Sequence, residues 1–200
     1  MGTWLAARPL VLASRSEVRH TILKQAGIPH IVEPADIDER SIEREAVCSG
    51  EAALLLARKK ALAVAARNPD AVVLGADQTL LLGQRLFSKP QSKSAAREQL
   101  SALCGRTHEL HSAVAVARGK SVAFEHCEVA RLTMRAFSES FLLAYLDAAG
   151  TAVSASVGAY QLERSGIQLF EHIAGDYFTI LGLPLLPLLQ FLRREGLLME

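Results

Sequence analysis

An α/β fold with a mixed β-sheet and flanking helices is what this sequence predicts, on three observations. Short apolar runs alternate with helix-period segments through the first half of the chain. Two long segments of alternating polarity, Thr107 to Ala117 and Val122 to Thr133, flank Arg118-Gly119-Lys120 and read as antiparallel neighbours. No repeat, low-complexity tract or linker divides the chain, whose 200 residues suit one domain of two lobes, or two small domains sharing a cleft. The missing linker favours a single domain over residues 1–200.

The elements follow in order. Leu10 to Ala13 is a short apolar strand, and after the polar turn Ser14-Arg15-Ser16 an amphipathic helix runs from about Glu17 to Ala26, stopped by Gly27. Ile28 to Val32 reads as a second strand leading into the acidic turn Asp36-Ile37-Asp38-Glu39. A long helix is expected from about Gly50 to Arg67, with Ser49 as its N-cap and Asn68-Pro69 as terminator. The apolar run Ala71 to Leu74 ends in Gly75-Ala76 and then a carboxylate, which reads as a buried strand delivering Asp77 to the mouth of a cleft. A second short strand, Thr79 to Leu82, a turn at Gly83 and Arg85 to Ser88 would return Lys89 beside that acid.

Ser92 or Ser94 caps the next helix, ended by Gly105, and Ser138 caps one reaching about Ala149. After a small-residue loop from Ser154 to Gly158, a hairpin is expected from Ile167 to Ile173 and Tyr177 to Leu181 around Gly175-Asp176. A final helix begins near Pro184, and Leu185, Leu186, Leu188 and Leu189 read as core.

Composition excludes several classes. Half the chain is apolar, 22% is charged and the net charge is +1, which argues against broad nucleic-acid binding. Any phosphate site must be built from a few placed cations. Cys48, Cys104 and Cys127 are scattered, without a Cys-x-x-Cys pair, so neither a disulfide framework nor structural zinc is expected, and a reducing cytoplasm is. Arg8-Pro9 interrupts any signal-peptide core, Ala6 spoils a myristoylation signal at Gly2, and Gly182, Pro184 and Pro187 break the best membrane-span candidate.

An acid and a cation placed together, Asp77 and Lys89, suit chemistry on a phosphate ester. Plain structural readings stand beside this one: Asp77 as a strand-end turn residue, Arg58, Lys59 and Lys60 as a solvated helix face, Asp36 and Asp38 as turn formers. His108-x-x-His111 with Glu109 has the look of a zinc site, but on a strand those two histidines point to opposite faces. His20, His30, His126 and His172 carry no pattern.

Motifs spread over nearly the whole chain resemble the Maf family of nucleotide pyrophosphatases. They are Leu12-Ala13-Ser14-x-Ser16-x-x-Arg19, Asp38-Glu39, Ala57-x-x-Lys60-Ala61, Gly75-Ala76-Asp77 and Lys89-Pro90, then Leu103-x-Gly105-Arg106-x-His108, Gly158-Ala159-Tyr160, Gly175-Asp176-Tyr177 and Gly182-Leu183-Pro184. The resemblance implies a cytoplasmic enzyme, often a homodimer, that converts a nucleoside triphosphate and water to the monophosphate and pyrophosphate with a divalent metal, Mg²⁺ or Mn²⁺. It also implies an elongated fold similar to inosine triphosphatase, with the cleft between two lobes. One departure is clear. Many members read Ser-x-Ser-Pro-Arg-Arg where this chain has Ser14-Arg15-Ser16-Glu17-Val18-Arg19, so only the second arginine position is kept.

Carried onto this chain, the resemblance gives Arg19, Lys60 and Lys89 as countercharges for phosphate, Ser14, Ser16 and Val18 as the substrate-facing helix start, and Asp77 as the base. Each charge-assisted hydrogen bond contributes roughly 1.5–3 kcal/mol net. Glu39 and Asp77 beside a polyphosphate would repel it by roughly 4 kcal/mol per pair of unit charges at ~4 Å and an effective dielectric of ~20. A divalent ion held by Glu39 and Asp77 reverses that sign.

Two positions resemble the branch of the family acting on 7-methyl-GTP. Gln78 stands where the branch acting on dTTP and UTP usually has threonine, and Glu163 where that branch usually has glutamine. A carboxylate at Glu163 can accept from the N1–H and N2 amino group of guanine, an edge no pyrimidine offers, and Gln78 can donate to O6. Such a site rejects pyrimidines by ~10⁴ or more. Rival readings are the same chemistry on dTTP, UTP or other canonical triphosphates, and a non-catalytic nucleotide-binding regulator of septum formation; a nucleic-acid module is disfavoured by the charge balance.

Overall fold

The computed structural model describes residues 3–39 and 49–200; Gly2 and Cys48 lie outside them. Its spine is β3 (Val73–Leu82), and every feature of the site follows from how β3 is paired. One edge of β3 runs antiparallel to β5 (Thr107–Arg118) from Val73 to Leu81. The other edge is shared. β1 (Leu10–Leu12) pairs in parallel at Val73 and Leu74, while β4 (Arg85–Phe87) folds back in antiparallel at Leu80 to Leu82. Among the described residues no strand covers that edge from Gly75 to Thr79. That gap leaves the strand edge to side chains from neighbouring elements.

The remaining strands extend the sheet on both sides. β2 (His30–Val32) lies parallel to β1, while β6 (Ser121–Met134) and β7 (Phe170–Ala174) continue antiparallel beyond β5. The order is β2-β1-β3-β5-β6-β7 with β4 attached to β3, a seven-stranded mixed sheet. The expected α/β fold with a mixed sheet and flanking helices is the one observed.

Side chains alternate between faces along each strand, and the two faces are covered differently. Val73, Ala113, Ala115 and Ala117 receive α2 (Ser49–Ala65) through Ala53, Ala57, Ala61 and Val64. Small residues let the helix lie against the backbone. A Cβ on Gly75 would stand 2.1 Å from the Ala57 carbonyl oxygen and 2.7 Å from the Ala61 nitrogen. The opposite face carries two cores. One joins Leu10, Leu12, Leu74, Ala76, Val114 and Val116 to α1 (Glu17–Gln25) and α6 (Leu185–Arg194). The other joins Leu80, Leu110, Leu132 and Met134 to α3 (Lys93–Leu103) and α4 (Glu139–Ala149). Full burial of a leucine side chain contributes roughly 1.5–3 kcal/mol, so each lobe is held by its own cluster.

Helix starts follow the cap signals. Ser16, Ser92 and Ser138 accept from the backbone N–H of Arg19, Ala95 and Phe141. Three expectations are corrected. The helix expected from Gly50 begins at Ser49, which places Ser49 inside α2 instead of at its cap. β3 is one strand, so Asp77 sits in mid-strand and not at a strand end; Gly75-Ala76 makes room for α2 without interrupting the ladder. The expected hairpin after Ile167 does not form. Ser165–Leu169 is a 3₁₀ segment, β7 follows, and Tyr177–Ile180 is a short helix, α5. Asp176 caps α5 by accepting from Thr179 N at 3.0 Å, and Gly175 at φ +141° turns the chain against Ala130, whose Cβ a side chain there would meet at 2.6 Å.

No helix of the described residues is long and apolar enough to cross a membrane. Cys104 is a free thiol. Arg58 is not a merely solvated residue: its guanidinium forks onto Glu125 at 2.5 and 2.7 Å and ties α2 to β6. Leu185 and Leu188 are core as expected, whereas Leu186 is exposed.

Candidate active site

The open edge of β3 is lined from both faces of the sheet. The last rung on this edge is Ala13 N–H donating to the Leu74 carbonyl at 2.8 Å. The next outward carbonyl, on Ala76, accepts from Arg19 Nη1 at 2.9 Å. Arg19 lies in the first turn of α1, and its Nη1 also donates to Ser14 Oγ at 3.1 Å while Nε donates to the Gly182 carbonyl at 2.8 Å. The guanidinium is thus a buried staple joining α1, the strand edge and the turn at Gly182. Burial pushes its pKa below the ordinary value, and the charges of Asp77 and then Glu39 oppose that shift. Arginine stays protonated throughout the physiological range. Ser14 is buried, Ser16 is the helix cap, and Val18 packs half-buried against the core beneath α1.

From the α2 face, the close approach at Gly75 brings Lys60 to β3. Its Nζ donates to Asp77 Oδ1 at 2.6 Å and pairs with Glu39 Oε1 at 2.8 Å. Lys60 and Asp77 are buried, whereas the Glu39 side chain is half exposed. The ammonium therefore bridges the two acids. The resemblance implies Lys60 on phosphate and a metal ion between the carboxylates; in the structure the lysine itself bridges them.

Lys89, two residues beyond β4, completes the group. Its residue surface is exposed, yet its ammonium is enclosed enough that desolvation is the first cause lowering its pKa. The Arg19 charge lowers it further, Glu39 and Asp77 raise it, and Lys60 lowers it. Lys89 thus lies within electrostatic reach of all four. Arg19, Glu39, Lys60, Asp77 and Lys89 converge on the cleft, three cations around two carboxylates.

The two expected base contacts differ in their surroundings. Gln78 follows Asp77 but points to the opposite face, where its amide nitrogen donates to Ser112 Oγ at 2.9 Å, Thr179 O at 3.2 Å and Ile180 O at 2.9 Å. Its N–H groups are engaged by the protein, so the expected donation to a guanine O6 is not available in this arrangement. Glu163 is exposed in the turn 162–164 of the second lobe. Its charge registers on Tyr145, whose hydroxyl is pushed up to about 12, chiefly by burial, and not on Arg19 or Lys89. That lobe also holds the buried pair His108 Nε2 and Tyr160 OH, 2.7 Å apart, with His108 pushed down to about 4 by burial. His111 faces the other way and pairs with Glu109 at 3.0 Å.

The residues that sequence reasoning missed are Ser112, Thr179 and Gly182. Ser112 left one signal, a hydroxyl at an inward position of β5 between Leu110 and Val114. The backbone carbonyls that receive Gln78 and Arg19 left none.

A model of the family described as Maf-like protein matches residues 9–195. A nucleoside triphosphate pyrophosphatase of Bradyrhizobium diazoefficiens is 57% identical over 200 residues, covering 99% of each chain. A protein of the same description from Rhodopseudomonas palustris is 54% identical over the same coverage. The 7-methyl-GTP pyrophosphatase of Brucella abortus is 50% identical over 190 residues, 93% of this chain and 96% of its own. A solved HAM1 protein from Coxiella burnetii is 15% identical with a TM-score of 0.41, over 63% of this chain and 72% of that one, a likeness too distant to bear on fold or function.

Proposed function

The chain belongs to the Maf-like protein family, and from that premise we propose that it hydrolyses a nucleoside triphosphate to the monophosphate and pyrophosphate, with 7-methyl-GTP as its substrate. The observation that carries the proposal is the convergence of Arg19, Lys60 and Lys89 with Glu39 and Asp77 at the uncovered edge of β3.

Water attacks the α-phosphorus, the bond from that phosphorus to the bridging oxygen of the β-phosphate breaks, and pyrophosphate leaves. Asp77 accepts the proton of the attacking water through its carboxylate. Lys60, at 2.6 Å, fixes the orientation of that carboxylate and keeps one oxygen engaged. Lys89 and Arg19 balance charge growing on the phosphoryl and leaving oxygens. Because Arg19 is anchored at three acceptors before any substrate arrives, it needs little reorganisation.

Two carboxylates that each give one oxygen to Lys60 retain a second oxygen, a hard donor set that would suit Mg²⁺ or Mn²⁺. Asp77 and Glu39 would hold the ion, which when bound would neutralise charge on the phosphoryl oxygens. A cytoplasmic homodimer is the form the family resemblance implies.

The preference for 7-methyl-GTP rests on Glu163 and is in keeping with the Brucella relative. A carboxylate there matches the paired donors of guanine, and methylation at N7 adds a positive charge that it favours. A panel of normal and methylated triphosphates, followed by pyrophosphate release with Mg²⁺, Mn²⁺ and chelator, tests the whole reading. Turnover of 7-methyl-GTP well above GTP, dTTP and UTP is expected; dTTP and UTP in front would remove the substrate assignment and leave the reaction. Glu163→Gln should narrow the preference by ~10-fold or more with kcat on the best substrate held within a few-fold.

A further inference from the structure

We propose that Gln78 is a positioning residue, which clamps the C-terminal end of α5 to the sheet so that the Gly182 carbonyl keeps Arg19 aimed at the triphosphate. The inference rests on reading the cleft as a triphosphate site. It begins with the side-chain amide. Carbonyl oxygens only accept, so the face of Gln78 turned to Thr179 and Ile180 must be its NH₂ group.

Those two carbonyls belong to the last residues of α5, where a helix leaves acceptors without intrahelical partners. The Thr179 carbonyl also accepts from the Gly182 N–H at 3.0 Å, so Gln78 meets the turn at its first bond and satisfies the Ile180 carbonyl as well. Ser112, its cross-strand neighbour on β5, donates to the same Thr179 carbonyl at 2.7 Å, and the Thr179 hydroxyl donates to Glu128 on β6 at 2.9 Å. The end of α5 is thereby fastened to three strands. Two residues past Ile180, Gly182 turns the chain at φ +86° and presents its carbonyl to Arg19 Nε at 2.8 Å.

The packing makes this a coupling and not a mere adjacency. A Cβ on Gly182 would stand 3.2 Å from Arg19 Nη2 and 3.5 Å from Gln78 Oε1, so the two side chains flank one Cα. The other anchors of Arg19, Ala76 O and Ser14 Oγ, both act on Nη1. The Nε bond to Gly182 is what stops the guanidinium plane from pivoting about that single corner. A displacement of about 1 Å in such a group can cost ~10²-fold in rate. Arg19 meets phosphate, not base, so the loss must be the same for every triphosphate.

The test uses the full chain with Gln78→Met, which keeps the shape without the donors, and Ser112→Ala, which lies fully buried behind Gln78. Steady-state kinetics on 7-methyl-GTP, GTP and UTP should show kcat/KM falling by ~10-fold or more in Gln78→Met and by less in Ser112→Ala. The ratios among the three nucleotides should stay within about 2-fold of the parent chain. Exchange of the Arg19 Nε–H with solvent, followed by NMR, should quicken in both variants. A selective loss of 7-methyl-GTP over UTP would make Gln78 a base reader and overturn the proposal, as would an unchanged Nε–H exchange. Should Gln78→Met not fold, Ser112→Ala decides the matter alone. The exchange measurement needs no turnover, so an inactive parent chain would end the functional proposal while the clamp is still judged on its own.

Discussion

Asp77 and Gln78 are neighbours in sequence, yet the sheet separates their tasks. Asp77 faces α2, where Lys60 and Glu39 meet it in a charged group open to the cleft. Gln78 faces α5, where its amide donates to a neutral hydroxyl and two backbone carbonyls. The difference teaches how one strand serves a site twice. At an uncovered edge, one face supplies chemistry and the other fixes the geometry of the groups that border it, and Arg19 donates to a carbonyl on each side: Ala76 on the strand edge and Gly182 from beyond the far face.

The sharpest way to break the comparison is to neutralise the chemical face alone. Asp77→Asn keeps the shape, and its amide oxygen can still accept from Lys60, which also retains Glu39. Loss of hydrolysis by ~10³-fold or more is expected, within the range attributed to a positioned general base. Stability should fall by about 1–2 kcal/mol, the scale of one weakened charged hydrogen bond. Pyrophosphate release and urea unfolding measure the two quantities. A variant that keeps most of its turnover removes Asp77 from the role of base.

The geometric face is broken at Gly182, with a smaller effect. Gly182→Ala meets two obstacles: φ +86° disfavours a side chain by about 1–2 kcal/mol, and the new Cβ presses on Arg19 Nη2 at 3.2 Å. A fall of ~10-fold in kcat/KM is expected, shared by all triphosphates, with a thermal midpoint lowered by several degrees. If turnover is unchanged while stability falls, the turn supports the fold without aiming Arg19.

The two faces were not equally legible in the sequence. Charged residues announce themselves, and the motifs gathered around Arg19, Lys60, Asp77 and Lys89 pointed to one cleft, which the electrostatics of Lys89 now join. The bridging of Asp77 to Glu39 by Lys60 was hidden because its partners come from separate segments, and only the approach at Gly75 brings α2 near enough. That glycine was read as the end of a strand, since small residues after an apolar run signal termination as readily as helix contact. The neutral face was illegible for a different reason. Gln78 binds carbonyls of Thr179 and Ile180, which every residue carries, so no residue type marks them. The resemblance assigns its side chain to a guanine O6, and residue type alone does not distinguish that acceptor from a backbone carbonyl. In the last third, Tyr177 to Leu181 reads as a strand after Gly175-Asp176, whereas the side chain of Asp176 caps a helix there, a local bond that the apolar run does not announce.

The smallest expected effect concerns Lys89, which stands at the lip between the two faces. Desolvation first, and the charge of Arg19 next, hold its ammonium below the ordinary lysine range. The sign follows from what deprotonation removes. Below its depressed pKa, Lys89 carries the charge that receives phosphate; as pH rises through that value the charge is lost, so KM should climb at an alkaline limb lying below pH ~10.4, the unperturbed lysine value. Binding of the polyanionic triphosphate group stabilises the charged form, so the limb in kcat should lie higher than the limb in kcat/KM. Lys89→Arg substitutes a group that does not deprotonate in this range and should carry the limb beyond the accessible pH, at a cost of a few-fold in kcat near neutrality because a fork replaces a point charge. pH profiles of both chains make the comparison. A limb unmoved by the substitution would assign the alkaline loss to another group, and Lys89 would then border the cleft without binding phosphate.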